Sequence, residues 1–366
     1  MYVALIANTA WLDEELAVFR HLVVGLLDEH VRVAQVVPTG LSEDESVVFG
    51  ERITWTDSSW RFLRRRRIRK LADALSERGV TVVHALDGRM WEGALDLARE
   101  LSVAAVFSAN SAMDVPHARR IASQLDPAHM AIVPATVPLA RAIEREVAEY
   151  NILVETIPPG VTVPDGNIDQ QLAQPAEPVD SRPMCLVITG NGRHDAEYEA
   201  LFAALPDILA KHPQTQFFLD GMGAEQHQLW QAAQRHDLLS NLSFVPRRLG
   251  HRELLLRADV LIQPQPLGRS RGITLQAMAA GKPVIAREDP WLDYLLDGTN
   301  AWVVADADPE LWSAMLRRIF DTPDDARQLG QSARQWVRHN RSISRQVDQT
   351  RMLYHRVTGE GIKFPG

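Results

Sequence analysis

Arg257-Ala258-Asp259-Val260-Leu261-Ile262-Gln263-Pro264, a short loop, and then Leu275-Gln276-Ala277-Met278-Ala279-Ala280-Gly281-Lys282-Pro283-Val284-Ile285-Ala286 read as strand, helix and strand. Residues 260–263 and 283–286 are short apolar runs of strand type, and residues 273–280 between them read as a helix. A helix joining two strands in this way places them parallel in one sheet.

The same alternation extends in both directions. Upstream, residues 186–189, 216–219 and 242–245 read as strands, with helices over 196–211, 225–236 and near 252–257. Downstream come a strand at 301–304 and helices over 309–320 and 325–339. In the first half, strands are expected at 3–7, 31–37, 80–83, 103–107, 130–133 and 152–157. Leu16, Phe19, Val23, Leu26 and Leu27 recur at helical spacing, and further helices are expected over 60–78, stopped by Gly79, and over 91–101. Residues 158–183 interrupt the pattern with Pro158, Pro159, Pro164, Pro175, Pro178 and Pro183, plus Gly160 and Gly166. This is the linker of an α/β chain with two Rossmann-like domains. The expected division is a first domain over 1–163, a linker over 164–183, a second domain over 184–340, and a C-terminal helix over 341–366 packing back on the first domain.

Size and composition agree with that layout. A chain of 366 residues exceeds what one core usually organises. Its 46% hydrophobic and 23% charged residues are ordinary for a globular protein. The formal net charge of -8 argues against a general nucleic-acid binder, which needs a basic face. Cys185, the single cysteine, precludes a disulfide within the chain, and no residue spacing suggests a metal site. It sits in the apolar run 184–188 and reads as a small buried strand residue. Residues 1–7 read as a buried strand rather than a signal peptide, and no apolar run is long enough to span a bilayer, so a cytoplasmic location is expected.

The quoted stretch resembles the signature of the retaining glycosyltransferase family four (group 1), which has the GT-B fold of two facing Rossmann-like domains. There the stretch reads "ADV-apolar-P", a loop, then "LEAMA-x-G-x-PV-apolar-A". Supporting pieces follow in order: Val187-Ile188-Thr189-Gly190-Asn191-Gly192-Arg193, Phe218-Leu219-Asp220-Gly221-Met222-Gly223, Leu296-Asp297-Gly298-Thr299-Asn300 and Asp308-Pro309-Glu310. Val82-Val83-His84-Ala85 and Ile157-Pro158-Pro159-Gly160-Val161 match two weaker signatures of the first half. The resemblance implies a nucleotide sugar, UDP- or GDP-linked, bound mainly by the second domain, an unknown sugar or lipid-linked acceptor bound by the first, and hexosyl transfer with retention and without a metal.

Negative charge builds on the departing diphosphate in such a reaction, so the protein must offer positive groups to it. Arg193 falls on the arginine of the family's basic pair, flanked by Gly190 and Gly192, which permit close approach of a ligand. The start of the 273–280 helix, with Arg269, Ser270, Arg271, Gly272 and Ile273 before and at its first turn, is expected to present amides to the nucleotide. Gly221 belongs to the strand-turn that lines the same site in the family. Gln276 is positioned for the ribose and Asn110 for the sugar, and with Arg193 these are the expected catalytic set. The competing reading of Arg269 and Arg271 is two solvated arginines.

Several positions depart from the family pattern. Tyr198 stands where the pair's lysine belongs. Gly268 and Gln276 stand where the family has two glutamates, Asn110 where it has a histidine, and Asn8-Thr9-Ala10-Trp11 where it has a glycine-rich loop. Glu288-Asp289-Pro290 replaces paired glycines, with Asp293 close to the glutamate that follows them. A catalytically inactive relative serving as a binding or assembly module is therefore the alternative, and an NDP-sugar epimerase a third. His84 reads first as a structural histidine.

Residues 60–71, Trp-Arg-Phe-Leu-Arg-Arg-Arg-Arg-Ile-Arg-Lys-Leu, form an intensely basic segment in an acidic protein. The first reading is a solvated helix face. The sharper one is peripheral contact with anionic lipid on the inner face of the membrane.

Overall fold

The computed structural model describes residues 1–39, 50–55, 61–124, 126–164, 183–220, 226–245, 254–255 and 257–359. Much of the 164–183 linker, half of the segment 252–257 expected as a helix, and Gly221 therefore lie outside the described residues. The chain divides into two units, one of residues 1–160, 268–270 and 343–366, the other of residues 161–267 and 271–342.

Unit 1 is built on seven parallel strands: β1 (Tyr2–Ile6), β2 (Arg32–Pro38), β3 (Glu51–Trp55), β4 (Val82–Ala85), β5 (Ala104–Ala109), β6 (Met130–Pro134) and β7 (Leu153–Val154). Their order is β3-β2-β1-β4-β5-β6-β7. Register runs from Val3 opposite Val33 on one side to Val3 opposite Val82 on the other. All five side chains of β1 are buried, as a strand covered on both faces requires. Val3 and Leu5 enter one core layer with Phe19, Leu22 and Leu26 of α1 (Thr9–Asp28). Ala4 and Ile6 enter the other with Ile68, Leu71 and Leu75 of α2 (Arg61–Ser76) and Trp91 and Leu95 of α3 (Trp91–Leu101). Helices α4 (Val115–Ala122) and α5 (Val137–Val147) complete the crossovers.

Unit 2 repeats the plan with β8 (Cys185–Thr189), β9 (Gln216–Asp220), β10 (Leu242–Val245), β11 (Val260–Gln263), β12 (Val284–Arg287) and β13 (Trp302–Val304). Their order is β10-β9-β8-β11-β12-β13, again all parallel. The helices are α6 (Ala196–Lys211), α7 (Gln226–Arg235), α8 (Gly272–Ala279), α9 (Pro309–Asp321) and α10 (Pro323–Asn340). A Cβ on Gly330 of α10 would lie 2.1 Å from the Gly281 carbonyl, so that contact admits only glycine without movement.

The last helix, α11 (Ile343–Thr358), belongs to unit 1. Val347, Leu353 and Tyr354 join the α1 core layer, and a Cβ on Gly25 would lie 2.5 Å from Val347 Cγ2. The strand–helix alternation read from the sequence is thus present in both halves, and its GT-B assignment is treated with the comparisons below. The sequence reading omitted three elements: β3, α4 and α5.

Candidate functional site

In each sheet the strand order reverses direction once, between β1 and β4 and between β8 and β11. Ligands of open parallel sheets settle beyond the carboxyl ends of the strands at that reversal. Which groups occupy those two ends therefore decides what each unit can bind.

In unit 2 the β8 end continues into Gly190-Asn191-Gly192-Arg193. Gly192 is buried and turns at φ +82°, and Arg193 is exposed, with its backbone N–H donating to Asn191 Oδ1 at 2.7 Å. Gln265, just past β11 and almost fully buried, ties this turn down. Its Oε1 accepts from Asn191 N–H at 2.9 Å, and its Nε2 donates to the Arg193 carbonyl at 3.3 Å and to Asp195 Oδ2. A Cβ on Gly190 would lie 2.2 Å from the Tyr198 hydroxyl and 2.6 Å from Gln265 Oε1. Tyr198, at the position of the expected lysine, is fully buried in the unit 2 core, its ring 5.8 Å from that of Phe202. The cationic partner is thus replaced by core packing that also seats the Gly190 turn.

Arg271 is 1% exposed, which overturns the reading as a solvated arginine. Its guanidinium donates to the Gly190 carbonyl at 2.7 Å and pairs with Asp220 Oδ2 at 3.5 Å, while Thr189 Oγ1 donates to the same Asp220 oxygen at 3.0 Å. Its backbone N–H donates to the Tyr294 hydroxyl at 3.3 Å. Arg271 is the N-cap of α8, and no side chain caps the helix there. Gly272 and Ile273 are buried in the first turn, and Gln276, one turn on, is half-buried. Below them Thr274 Oγ1 donates to Gln263 Oε1 at 2.7 Å, both residues fully buried. Arg271 therefore ties the start of α8, where Gly272, Ile273 and Gln276 lie, to the turn after β8 that carries Gly192 and Arg193. Asp293 pairs with the buried Arg341, whose guanidinium lies 5.4 Å from the Tyr294 ring centre.

Arg269 and Ser270 group with unit 1 together with Gly268. This tripeptide pairs antiparallel with Asn110–Ala112: Ala112 N–H donates to the Gly268 carbonyl at 2.8 Å and Ser270 N–H to the Asn110 carbonyl at 3.3 Å. Arg269 is matched by Glu14 at 2.7 Å, so it too is not simply solvated. Ser270 is 9% exposed. Gly268 adopts φ +62°, a conformation that a glutamate would enter only under strain.

In unit 1 the β1 and β4 ends are carboxylate-rich. Asn8 Nδ2 donates to Asp87 Oδ1 at 2.6 Å, and Arg89 N–H donates to the same oxygen at 2.8 Å. Asp114 Oδ2 accepts from the backbone N–H of Asn110 at 2.9 Å and of Ser111 at 3.0 Å. Burial pushes Asp114 up to about 6 and also raises Asp87, each against its local hydrogen bonds. Asn110 Nδ2 donates to the Leu86 carbonyl at 2.7 Å, and the residue borders a cavity of about 30 Å³, room for about two waters. His84 borders it too, bonded through Nδ1 to the Tyr354 hydroxyl at 2.6 Å and through Nε2 to Ser108 Oγ at 2.8 Å. Burial holds its pKa down at about 3, so it is a neutral structural histidine tying α11 to the sheet.

Residues 169–336 match the family model of "Glycosyl transferases group 1". The match covers less than half of the chain. A glycogen synthase of Mycobacterium tuberculosis is 32% identical over 151 residues, which cover 39% of this chain and 34% of the relative. A phosphatidyl-myo-inositol mannosyltransferase of Mycolicibacterium smegmatis is 33% identical over 180 residues, covering 47% of this chain and 45% of the relative. The aligned segments thus span less than half the length of either. Among solved structures, a glycosyltransferase from Rickettsia africae superposes with a TM-score of 0.75 at 12% identity, covering 98% of this chain and 99% of that one. Anabaena HepE in complex with UDP-glucose gives 0.73 at 13% identity, covering 96% and 99%. These likenesses assign the GT-B fold to the whole described chain.

Within unit 2, Gln265 and Asp220 are the residues that sequence reasoning missed. Gln265 carried a usable signal, a polar residue directly after the Pro264 that ends a buried strand. A second omission is Glu199. Burial pushes its carboxyl upward, but hydrogen bonds from His236, His194 and Arg235, at 2.7, 2.7 and 2.9 Å, outweigh it and hold the pKa at about 2. These contacts fasten the residue after Arg193 to α6 and to the end of α7.

Proposed function

We propose that the protein transfers a hexose from a UDP- or GDP-sugar to a sugar or lipid-linked acceptor, with retention and without a metal. The observation that carries the reading is that Arg271, the N-cap of α8, bonds the Gly190 carbonyl in the turn after β8 that also carries the exposed Arg193. A guanidinium and a helix N-terminus together supply positive potential to a leaving diphosphate. Arg271 contributes by rigidity: with Asp220 and Gly190 it fixes the turn on which α8 begins. Gly192, Gly272 and Ile273 allow close approach of backbone amides, Gln276 accepts from ribose hydroxyls, and Asn110 serves as a contact for sugar hydroxyls. Gly221 is retained as a nucleotide contact from the family pattern. The UDP-glucose bound by HepE supports a UDP-sugar donor, and the phosphatidyl-myo-inositol mannosyltransferase supports a lipid-bearing acceptor.

Isothermal titration with UDP, GDP and ADP, each beside its glucose or mannose derivative, tests the reading. Binding of one nucleotide and its sugar, followed by hydrolysis or transfer, is the expected result. Absence of binding at millimolar ligand overturns it, and binding without turnover on any acceptor identifies a non-catalytic relative.

A further inference from the structure

Five cations of α2 fall into two groups with different surroundings. Arg64 reaches Glu92 and Asp96 of α3, each at 3.1 Å, and Arg69 reaches Glu100 at 3.5 Å. Glu92 also receives Arg120 of α4. The acidic stripe of α3, spaced four residues apart, is thus taken up by helix–helix pairing. Ile68, Leu71, Ala72 and Leu75 bury the inner face of α2. Arg65, Arg66 and Lys70 point elsewhere. All three are exposed, and among the described residues no carboxylate pairs with any of them.

Their placement works against the helix. α2 has no acidic residue in its first turn, and five of its seven cations lie in its N-terminal half, so the partial positive charge of the first turn meets no counter-charge there. Arg65 with Arg69 and Arg66 with Lys70 are like-charge neighbours one turn apart, a further destabilising arrangement. Asp73 is the one acidic residue within α2, against seven cations, so the helix is charged far out of balance. A local concentration maintained against helix electrostatics, on a chain of net charge -8, calls for an anionic partner.

We propose that Arg65, Arg66 and Lys70 form a docking face for the anionic phospholipid surface of a membrane. Charge complementarity selects the partner, and the small, one-helix footprint suits a lipid surface better than a nucleic-acid duplex, whose contacts need a longer basic track. Among the described residues no helix is long and apolar enough to cross a membrane, so attachment would be peripheral and reversible. The inference stands apart from the transfer chemistry, since it uses none of the residues at the ends of β8 and β11.

The test is co-sedimentation of the full chain with vesicles of phosphatidylcholine alone and of phosphatidylcholine mixed with phosphatidylglycerol. The wild-type protein should pellet with the anionic vesicles only and be released by molar salt, which shortens the screening length to about 3 Å. The triple variant Arg65→Gln, Arg66→Gln, Lys70→Gln keeps strong helix formers and should bind about 100-fold more weakly, since each cation near an anionic surface contributes about five-fold. A control that removes three exposed arginines elsewhere, Arg145→Gln, Arg327→Gln, Arg338→Gln, should bind like wild type. Far-UV circular dichroism and the thermal midpoint of each variant separate lost docking from lost folding. Equal binding to both vesicle types, an unaffected triple variant, an equally weakened control, or stronger retention on duplex DNA than on anionic vesicles would each overturn the proposal.

Discussion

The two units share one strand order and treat the carboxyl ends of their central strands in opposite ways. In unit 2 the buried charges there are balanced: Arg271 faces Asp220, and amide groups of Gln265 hold the turn that carries Arg193. In unit 1 the same position gathers Asp87 and Asp114, both raised by burial, with Asn8 and Asn110 around them. A balanced end with one exposed cation suits a phosphate, and an acidic, amide-lined end repels phosphate and suits hydroxyls. The shared strand order does not set this contrast; the placement of charge does.

The sharpest way to break this comparison is Arg271→Met. Removing the guanidinium leaves Asp220 buried without its cation, and urea unfolding should show a loss of about 3–5 kcal/mol. The double variant Asp220→Leu, Arg271→Met should recover most of it. A small loss in the single variant would show that the β8 end of unit 2 is not held by internal charge balance. Arg193→Ala should leave stability unchanged and weaken nucleotide-sugar binding by about 10–100-fold, the value of charge-assisted hydrogen bonds of about 1.5–3 kcal/mol. Unchanged binding would remove Arg193 from the phosphate site.

Acid titration sharpens the contrast from the unit 1 side. His84, at about 3 when folded against its ordinary 6.5, takes up its proton only on unfolding, so its contribution to stability is lost as pH falls from 6.5 towards 3. Asp114, at about 6 when folded against its ordinary 3.8, works in the other direction, its contribution being lost as pH rises from 3.8 to 6. Asp87 follows the direction of Asp114. Each group alone gives about 1.4 kcal/mol per pH unit, so the slopes of His84 and Asp114 oppose between 3.8 and 6. Asp114→Asn should expose the His84 slope, and stability measured by urea against pH should then fall more steeply on acidification. The smallest expected effect is Gln276→Ala, about 1 kcal/mol or five-fold in donor binding, read by the same titration as Arg193→Ala.

Much of the architecture was legible because buried parallel strands are short apolar runs, and because helices such as α2 and α8 are followed by a glycine, Gly79 and Gly281. The omitted elements lacked that contrast. β3 is an edge strand, Glu51-Arg52-Ile53-Thr54-Trp55, with only Trp55 fully buried. α5 did carry a signal, Thr136 accepting from Leu139 N–H with Pro138 in the first turn. At the site, the sequence pattern put Arg193 in the turn after one strand and Gly272 and Gln276 on the helix after another, and the structure has those elements there. The inward turn of Arg271 depends on Asp220, 51 residues away, and the anchoring by Gln265 on a carbonyl 72 residues away. Pairings at such separations leave no periodicity to read. The φ of +62° at Gly268 was equally invisible, although it explains why glycine stands there.

Helix α11 lies at the far end of the described chain, yet it fills the groove beside α1 and reaches His84 through Tyr354. During synthesis, residues 161–342 can leave the ribosome and assemble while the earlier-made sheet still waits for its last structural member. Until then Phe19, Leu22 and Leu26 lack their Val347, Leu353 and Tyr354 cover, and His84 lacks its phenol. The first half of the polypeptide to be made is in this sense the last to be completed.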